Sequence, residues 1–203
     1  MSWGVRTKLG DVCIKGEGAY FMLRITKKAI KQYPLLVRLI FWAQKLKYGT
    51  TLEPAWIWGR SPKLLYGLQA FYRCLDRKQS PLNPQLRALV SNRISQMNHC
   101  SFCTDISAST LLKSGVSLEN LVTLENYESN PIFSEEERVV LAYAEAMTDS
   151  HRRVDNSLFQ RLRKSYSEDE IVELTAWIAF QNLSSKFNAA LDIPAQGFCQ
   201  LPK

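Results

Sequence analysis

The spacing of apolar residues limits this chain to one class of fold. Apolar side chains recur every three or four residues along most of the chain, and no segment alternates apolar and polar residues over more than a few positions. In residues 84–98 the apolar positions that share one predicted helix face are Leu86, Leu89, Val90, Ile94 and Met97. The pattern predicts an all-α protein, and 203 residues suit one domain of ordinary size with a small appendage.

Capping signals mark the starts of the later helices. Ser134 and Glu137 form a capping box, in which the serine accepts an early helical N–H and the glutamate reaches back to the cap. Ser167 and Glu170 form a second box before a long apolar segment that we expect to be buried. Asp155 is the expected N-cap of the helix between the two boxes. These signals predict a domain built of antiparallel helix pairs.

Proline and glycine mark the ends of the earlier helices. Residues 26–48 predict one or two amphipathic helices interrupted near Pro34, and Gly49 ends them. Pro62 suits the first turn of the next helix, because that turn leaves its N–H groups unpaired in any case. Gly115 is the expected left-handed residue after a later helix.

Basic residues are concentrated at the start of the chain. The first fifty residues hold ten Lys or Arg against two acidic residues, whereas the remainder holds sixteen against seventeen. We therefore divide the chain into a basic N-terminal helical arm, residues 1–50, and a helical domain, residues 51–203. Such an arm can contact nucleic acid or an anionic membrane. No nucleic-acid-binding motif accompanies it, so a solvated helix face or a contact with an acidic patch on a neighbouring subunit is the favoured interpretation.

The N-terminus and the cysteine count predict the compartment. No apolar run ending in small residues resembles a secretory signal, and the apolar stretch around Arg38 is too short to span a bilayer of about 30 Å. Five cysteines, an odd number, do not suit a secreted disulfide framework. We therefore predict a soluble cytoplasmic protein. Separately, we expect no cofactor, and we expect no metal because zinc is the weaker interpretation of the cysteines considered below.

Cys100 and Cys103 are the residues best placed for chemistry. They lie three residues apart at the start of a predicted helix over residues 100–113, where they share one face and are within disulfide reach. The positive end of the helix dipole favours the thiolate form of the first cysteine. A thiolate is the nucleophile in peroxide reduction and disulfide exchange, and a neighbouring thiol can close the disulfide.

Two other interpretations of the pair stay open at this point. A structural zinc site needs four ligands, and the other candidates do not form a second pair. These candidates are Cys13, Cys74, Cys199, His99 and His151. The second alternative is a pair of buried structural thiols, since free cysteine is often buried.

Three segments carry a family resemblance. They are LRALVSNRISQMNHCSFCTDISASTLLKSGVS, FSEEERVVLAYAEAMT and YSEDEIVELTAWIAFQNLSSKFNAALDIP, in that order. They resemble the alkylhydroperoxidase-D (AhpD)-like / carboxymuconolactone decarboxylase family over roughly residues 51–200. The resemblance implies an all-helical fold, a homo-trimer or hexamer, and, in the peroxidase branch, a Cys-x-x-Cys peroxidase reduced by a partner dithiol. The decarboxylase branch acts on a cyclic lactone acid and does not rely on the pair.

The resemblance also implies catalytic roles and exposes two departures. Cys103 would react with peroxide, and Cys100 would resolve the intermediate and exchange with the reductant. The family pattern places Glu at the position of Ala88 and His at the position of Ser107. Alanine cannot accept a proton and an unassisted serine is a poor shuttle. Loss of a general base typically slows a reaction by about 10²–10⁴-fold, so we expect slow turnover.

Other polar residues near the pair could support proton transfer. If the helix begins early enough, His99 and Cys103 share a face at i, i+4, although a surface or capping histidine is the simpler interpretation. Ser107 is expected to bond a backbone carbonyl one turn back, and Asp105 is expected to be solvated. Three residues of the last long helix could face the pair: Gln181, Lys186 and Asn188.

Three hypotheses follow for function. The leading one is a weak thiol-dependent peroxidase of the alkylhydroperoxidase or peroxiredoxin type, which consumes a hydroperoxide with electrons from a dithiol reductant protein. The second is a non-enzymatic oligomeric scaffold that binds a small ligand or a protein. The third is a decarboxylase-type lyase, for which the sequence shows no identifiable acid–base groups.

Overall fold

The computed structural model describes residues 23–199, and this part of the chain is helical without a β-strand. The helices are α1 Leu35–Tyr48, α2 Glu53–Trp58, α3 Pro62–Leu75, α4 Pro84–Met97, α5 Ser101–Lys113, α6 Leu118–Val122, α7 Glu135–Thr148, α8 Asn156–Ser165 and α9 Glu168–Ala190. Short 3₁₀ turns occupy Ile30–Gln32 and Leu124–Asn126. The all-α prediction is confirmed.

Most helix boundaries follow the signals in the sequence. Both capping boxes form: the Ser134 hydroxyl accepts from the Glu137 N–H at 3.1 Å, and the Glu137 carboxylate accepts from the Ser134 N–H at 2.9 Å. Ser167 caps α9 in the same way. Gly49 and Gly115 follow α1 and α5 with φ of 76° and 86°, a left-handed backbone that glycine adopts without strain.

Helix α2 is the element that the sequence did not indicate. The sequence predicted no helix between Gly49 and Pro62, yet a six-residue helix begins at Glu53. Pro54 occupies its first turn, where the missing N–H costs nothing, and Ile57 is buried. Tertiary packing, rather than intrinsic helix propensity, stabilises so short a helix.

The main core lies between α4, α7 and α9. Its fully buried residues include Val90 and Ile94 from α4, Val140 from α7, and Leu174 and Ile178 from α9. The long α9 buries one face, whereas Val172 and Leu183 on it are at least half exposed, so the expectation that this segment is buried holds only in part. Helix α4 also packs against α5, through a second core cluster that contains Leu89, Leu111 and Leu121. This packing holds α5 against both α4 and α9.

The described part of the N-terminal arm packs onto the domain. Tyr33, Val37 and Phe41 form a buried cluster with Ala55 and Leu65. The division into an arm and a domain stays a prediction, because residues 1–22 lie outside the described part.

Two basic residues of the arm make ion pairs with the domain. Arg24 pairs with Asp192 just after α9, and Lys27 pairs with Glu53 at 2.6 Å. Between residues 23 and 199, no helix combines the length and the apolarity needed to cross a bilayer.

Candidate active site

The start of α5 carries the cysteine pair. Cys100 is the N-cap residue of α5 and Cys103 lies in its first turn, with Cα atoms 5.3 Å apart and the two sulfurs joined in a disulfide. The Cys100 Sγ also accepts the Cys103 N–H at 3.2 Å. Both cysteines therefore occupy the helix N-terminus that the sequence predicted.

The disulfide is buried within this chain. Cys100 is 1% exposed and Cys103 is 4% exposed. They form an apolar cluster with the buried Ile57, Phe102 and Ile193, against which several half-buried residues pack, among them Phe187 and Phe198. An external thiol or peroxide therefore reaches the sulfurs only after a local opening of this cluster.

Asn188, in the last turns of α9, supplies the polar contact to the disulfide. It is 2% exposed, and its amide Nδ2 donates to the Cys103 Sγ at 3.2 Å. Its Oδ1 is also buried, and no hydrogen-bond donor of the described residues reaches it. Of the three α9 candidates, Gln181 instead donates to the Ser95 hydroxyl at 2.9 Å, and Lys186 is exposed. One amide group thus provides both a donor and a spare acceptor beside the pair.

Comparison with known proteins identifies the family. The carboxymuconolactone decarboxylase family pattern matches residues 62–146. The chain is 41% identical to the uncharacterized protein YnjA of Escherichia coli strain K12 over 174 residues, covering 86% of this chain and 96% of YnjA. The chain belongs to the carboxymuconolactone decarboxylase family.

Solved structures of related proteins show the same fold. An AhpD-core, uncharacterized peroxidase-related protein from Ralstonia eutropha JMP134 superimposes with a TM-score of 0.75 at 19% identity, covering 87% of this chain and 94% of that one. A complex of the debrominase Bmp8 with 2,3,4-tribromopyrrole gives a TM-score of 0.72 at 20% identity, covering 86% and 92%. Since both identities are below 25%, these likenesses establish an AhpD-like fold for this family member.

Of the two departures from the peroxidase pattern of the family, only Ser107 has a hydrogen bond with a residue of the pair, whereas Ala88 lies in a different core cluster. Ser107 donates to the Cys103 carbonyl oxygen at 2.6 Å, as expected for a helical serine, and accepts from the Asn92 amide at 3.0 Å. Ala88 is buried in the apolar cluster shared by α4 and α5. The usual relay positions of this family are therefore filled by a neutral hydroxyl and a methyl group.

His99 does not share a helix face with Cys103. Helix α5 begins at Ser101, so His99 precedes it, with an exposed side chain and a left-handed backbone at φ 53°. This conformation turns the chain sharply between α4 and α5. The i, i+4 arrangement that would make His99 a substitute relay is not formed.

Asp105 corrects one expectation from the sequence. It was expected to be solvated, but it is 2% exposed. Its carboxylate accepts three backbone N–H groups, from Gln196 at 2.8 Å, Phe198 at 3.1 Å and Cys199 at 2.7 Å. Helical spacing predicted correctly that Asp105 points away from the pair. It could not predict the burial, because the residues that cover Asp105 lie about ninety positions further along the chain. The carboxylate fastens residues 196–199 to α5, beside the cluster around the disulfide.

A neutral hydrogen-bond network fixes α9 against α4. Asn98, after α4, donates to Asn182 at 2.9 Å and to Ser185 at 2.8 Å, while Gln181 reaches Ser95. Because Asn182 and Ser185 lie within two turns of Asn188 on α9, these contacts set the position of the amide on Cys103. Buried polar networks whose members are satisfied rigidify a core in this way.

Other candidate sites are separate from the pair. Cys74 is exposed and free, Cys199 is buried, and Cys13 lies outside the described residues. Among residues 23–199, no group of three His, Cys, Asp or Glu side chains is arranged to hold a metal ion. One surface cavity, of about 340 Å³, lies between α3 and α4. A second, of about 290 Å³, lies between Asn83 and Tyr166. Neither cysteine of the disulfide lines either cavity.

Proposed function

We propose that this protein is a thiol-dependent oxidoreductase of the peroxidase type that uses Cys100 and Cys103. The observation that carries the proposal is the linked pair at the N-terminus of α5, with the Asn188 amide donating to the Cys103 sulfur. Membership of the family and the AhpD-like fold support a peroxidase-related function in general terms.

The reaction begins from the reduced pair. The Cys103 thiolate attacks one oxygen of a hydroperoxide, the O–O bond breaks, and the alcohol leaves with a proton while the sulfur becomes a sulfenic acid. The Cys100 thiol then attacks that sulfur, water leaves, and the disulfide forms. A dithiol reductant restores the pair through a mixed disulfide on Cys100, supplying two electrons and two protons.

Two structural features predict a low rate. No imidazole or carboxylate occupies the relay positions, and a missing general base typically slows proton transfer by about 10²–10⁴-fold. The burial of both sulfurs adds an opening step before reductant can attack Cys100. Asn188 partly offsets these effects, because an amide donor stabilises the negative charge on Cys103.

The proposal extends to the partners of the site. A hydroperoxide is the substrate, a dithiol protein of the cytoplasm is the reductant, and the protein acts as a homo-trimer or hexamer, as the family resemblance implies. Reductant docking requires only that Cys100 become accessible, since that residue forms the mixed disulfide.

A peroxidase assay tests the proposal directly. Cumene hydroperoxide consumption with dithiothreitol as the reductant would be measured for the wild type, Cys100→Ser, Cys103→Ser and the double variant. Cys74→Ser is the matched control, because this thiol is exposed and unpaired. We expect loss of turnover in Cys103→Ser and in the double variant, an unchanged rate in the control and, in the absence of reductant, one stoichiometric oxidation in Cys100→Ser. A wild-type rate equal to that of the double variant would overturn the proposal.

The burial of the disulfide favours a second candidate, a structural crosslink in a non-enzymatic scaffold. Sequence separation limits this role, because the bond joins residues only three apart. By chain entropy a loop of this size contributes about 2 kcal/mol, compared with nearly 5 for a loop of a hundred residues. If the protein is a scaffold, the double serine variant should unfold at a lower denaturant concentration but keep its function. Deletion of residues 1–48 should then abolish ligand binding.

A further inference from the structure

The outward face of α1 carries a stripe of large apolar side chains. The four residues are between 50% and 67% exposed and follow one another at intervals of four, three and four residues. They are Leu35, Leu39, Trp42 and Leu46, here called the α1 stripe. They lie opposite the inner face of the helix, where Val37 and Phe41 are buried against α2 and α3. Helix α1 is therefore apolar on two opposite sides, and residues 23–199 cover only one of them.

Cations border the α1 stripe on both sides. At about 100° per residue, Arg38 and Lys45 lie along one edge and Lys47 lies along the other. All three are exposed, and no ion pair within residues 23–199 uses them. Helix α1 contains no acidic residue. The stripe and its border thus form a surface that combines apolar area with unpaired positive charge.

We propose that α1 binds the surface of an anionic phospholipid bilayer. A helix lying in the membrane interface has this arrangement: Leu and Trp side chains enter the headgroup boundary, and flanking Lys and Arg side chains reach the phosphates. Trp42 lies in the middle of the stripe, and indole favours this boundary because it is apolar with one polar N–H. The interaction is independent of the proposed redox chemistry.

Charge argues against a two-fold contact of α1 with the α1 helix of a second copy. In a two-fold contact the same patch faces itself, so Arg38, Lys45 and Lys47 of one copy would meet the same cations of the other. Like charges across a contact are unfavourable, whereas an anionic membrane neutralises them. A nucleic acid would satisfy the cations but would leave the four apolar side chains in water.

Vesicle flotation with the full chain tests the proposal. Phosphatidylcholine vesicles would be compared with vesicles that contain phosphatidylserine as well. We expect at least about tenfold tighter binding to the anionic vesicles, since each juxtamembrane Lys or Arg contributes appreciably at such a surface. The binding should weaken in high salt, which screens the charges.

Two sets of variants separate the contributions. Lys45→Glu with Lys47→Glu should lower anionic-vesicle binding by about tenfold or more, whereas the matched control, Lys113→Glu with Lys164→Glu, should not. Trp42→Ser should also lower binding, with Val172→Ser, an equally exposed apolar residue elsewhere, as its control.

Three results would overturn the proposal. The first is equal partition onto both vesicle types. The second is binding that survives Trp42→Ser, which would mean a purely electrostatic contact. The third is a change of sedimenting mass in Trp42→Ser when the wild type binds no vesicles, which would assign the α1 stripe to a contact between copies.

Discussion

The amide nitrogen of Asn188 lies 3.2 Å from the sulfur of Cys103, and it links the end of α9 to the first turn of α5. A disulfide sulfur is a weak acceptor, whereas a thiolate is a charged and much stronger one. The same donor therefore stabilises the reduced pair more than the oxidised pair. The unpaired Oδ1 can in turn accept from a protonated thiol, so Asn188 can partner either reduced form.

Replacing Asn188 should make the disulfide harder to reduce. Asn188→Leu keeps the size and removes the donor, so we expect the midpoint potential of the pair to fall by about 30 mV or more, since a charge-assisted hydrogen bond contributes about 1.5–3 kcal/mol. Asn188→Asp should lower it further, because its carboxylate repels a thiolate. Equilibration with glutathione, followed by alkylation and mass spectrometry, measures the potential. The control is Asn126→Leu, at an exposed residue outside both α5 and α9. An unchanged potential in both Asn188 variants would refute this role.

Loss of the Asp105 carboxylate should release the segment after α9. The Asp105 carboxylate accepts hydrogen bonds from three backbone N–H groups, whereas an asparagine would place its own NH₂ group against some of these donors. We therefore expect Asp105→Asn to destabilise residues 196–199 by about 1–3 kcal/mol. Hydrogen exchange at the Gln196, Phe198 and Cys199 amides should accelerate. Alkylation of the reduced pair should accelerate as well, because Phe198 packs in its cluster. Faster exchange without faster alkylation would mean that this segment does not control access.

Ser107 provides a test for a proton relay. Because its hydroxyl is engaged with the Cys103 carbonyl and the Asn92 amide, we expect Ser107→Ala to cost about 1 kcal/mol of stability and to change peroxide consumption less than twofold. Urea unfolding and the peroxidase assay measure the two effects. His99→Ala, at an exposed residue outside α5, should likewise leave the rate unchanged. A tenfold fall in rate for Ser107→Ala in a stably folded protein would show that the hydroxyl carries a proton.

Local signals in the sequence were sufficient for most of the fold. The boxes at Ser134 and Ser167, the cap at Asp155 and the glycines at 49 and 115 act within one helical turn, so the sequence around each residue determines the result. Helix α2 was missed because its six residues are too few for a periodic pattern and its stability comes from contacts with distant residues.

The candidate site was predictable only in part, because some of its features are local in the sequence and others depend on contacts between distant residues. The spacing of Cys100 and Cys103 revealed a pair at a helix start, which is a local property. The choice of Asn188 over Gln181 and Lys186 depends on which side of α9 faces α4 and α5. Partly buried amide contacts between residues more than eighty positions apart fix that orientation, and no single-sequence pattern encodes them. The partners of Asp105 lie in the segment after α9 and are equally distant in sequence.

The ion pair between Arg77 and Glu173 should make stability sensitive to acid. Arg77 binds the carboxylate through two nitrogens, at 2.9 and 2.6 Å, and joins the turn after α3 to α9. The side-chain hydrogen bond from Arg77 holds the pKa of Glu173 below its usual range. A carboxyl group with a depressed folded-state pKa stabilises the protein above its unfolded-state pKa, and this contribution disappears as pH falls through the folded-state pKa.

Glu173→Gln should therefore lower the urea midpoint at pH 7 and have little effect at a pH below the depressed pKa, where the wild-type carboxyl is itself protonated. The loss at pH 7 should be modest, because both side chains remain partly exposed and water screens the pair. Urea midpoints measured for both proteins from pH 7 down to about pH 2.5 give the comparison, with Glu125→Gln as a control at an exposed residue outside any ion pair of residues 23–199. A deficit for Glu173→Gln of the same size at every pH would show that the substitution acts through packing of the side chain, since a charge interaction must vanish when the charge does.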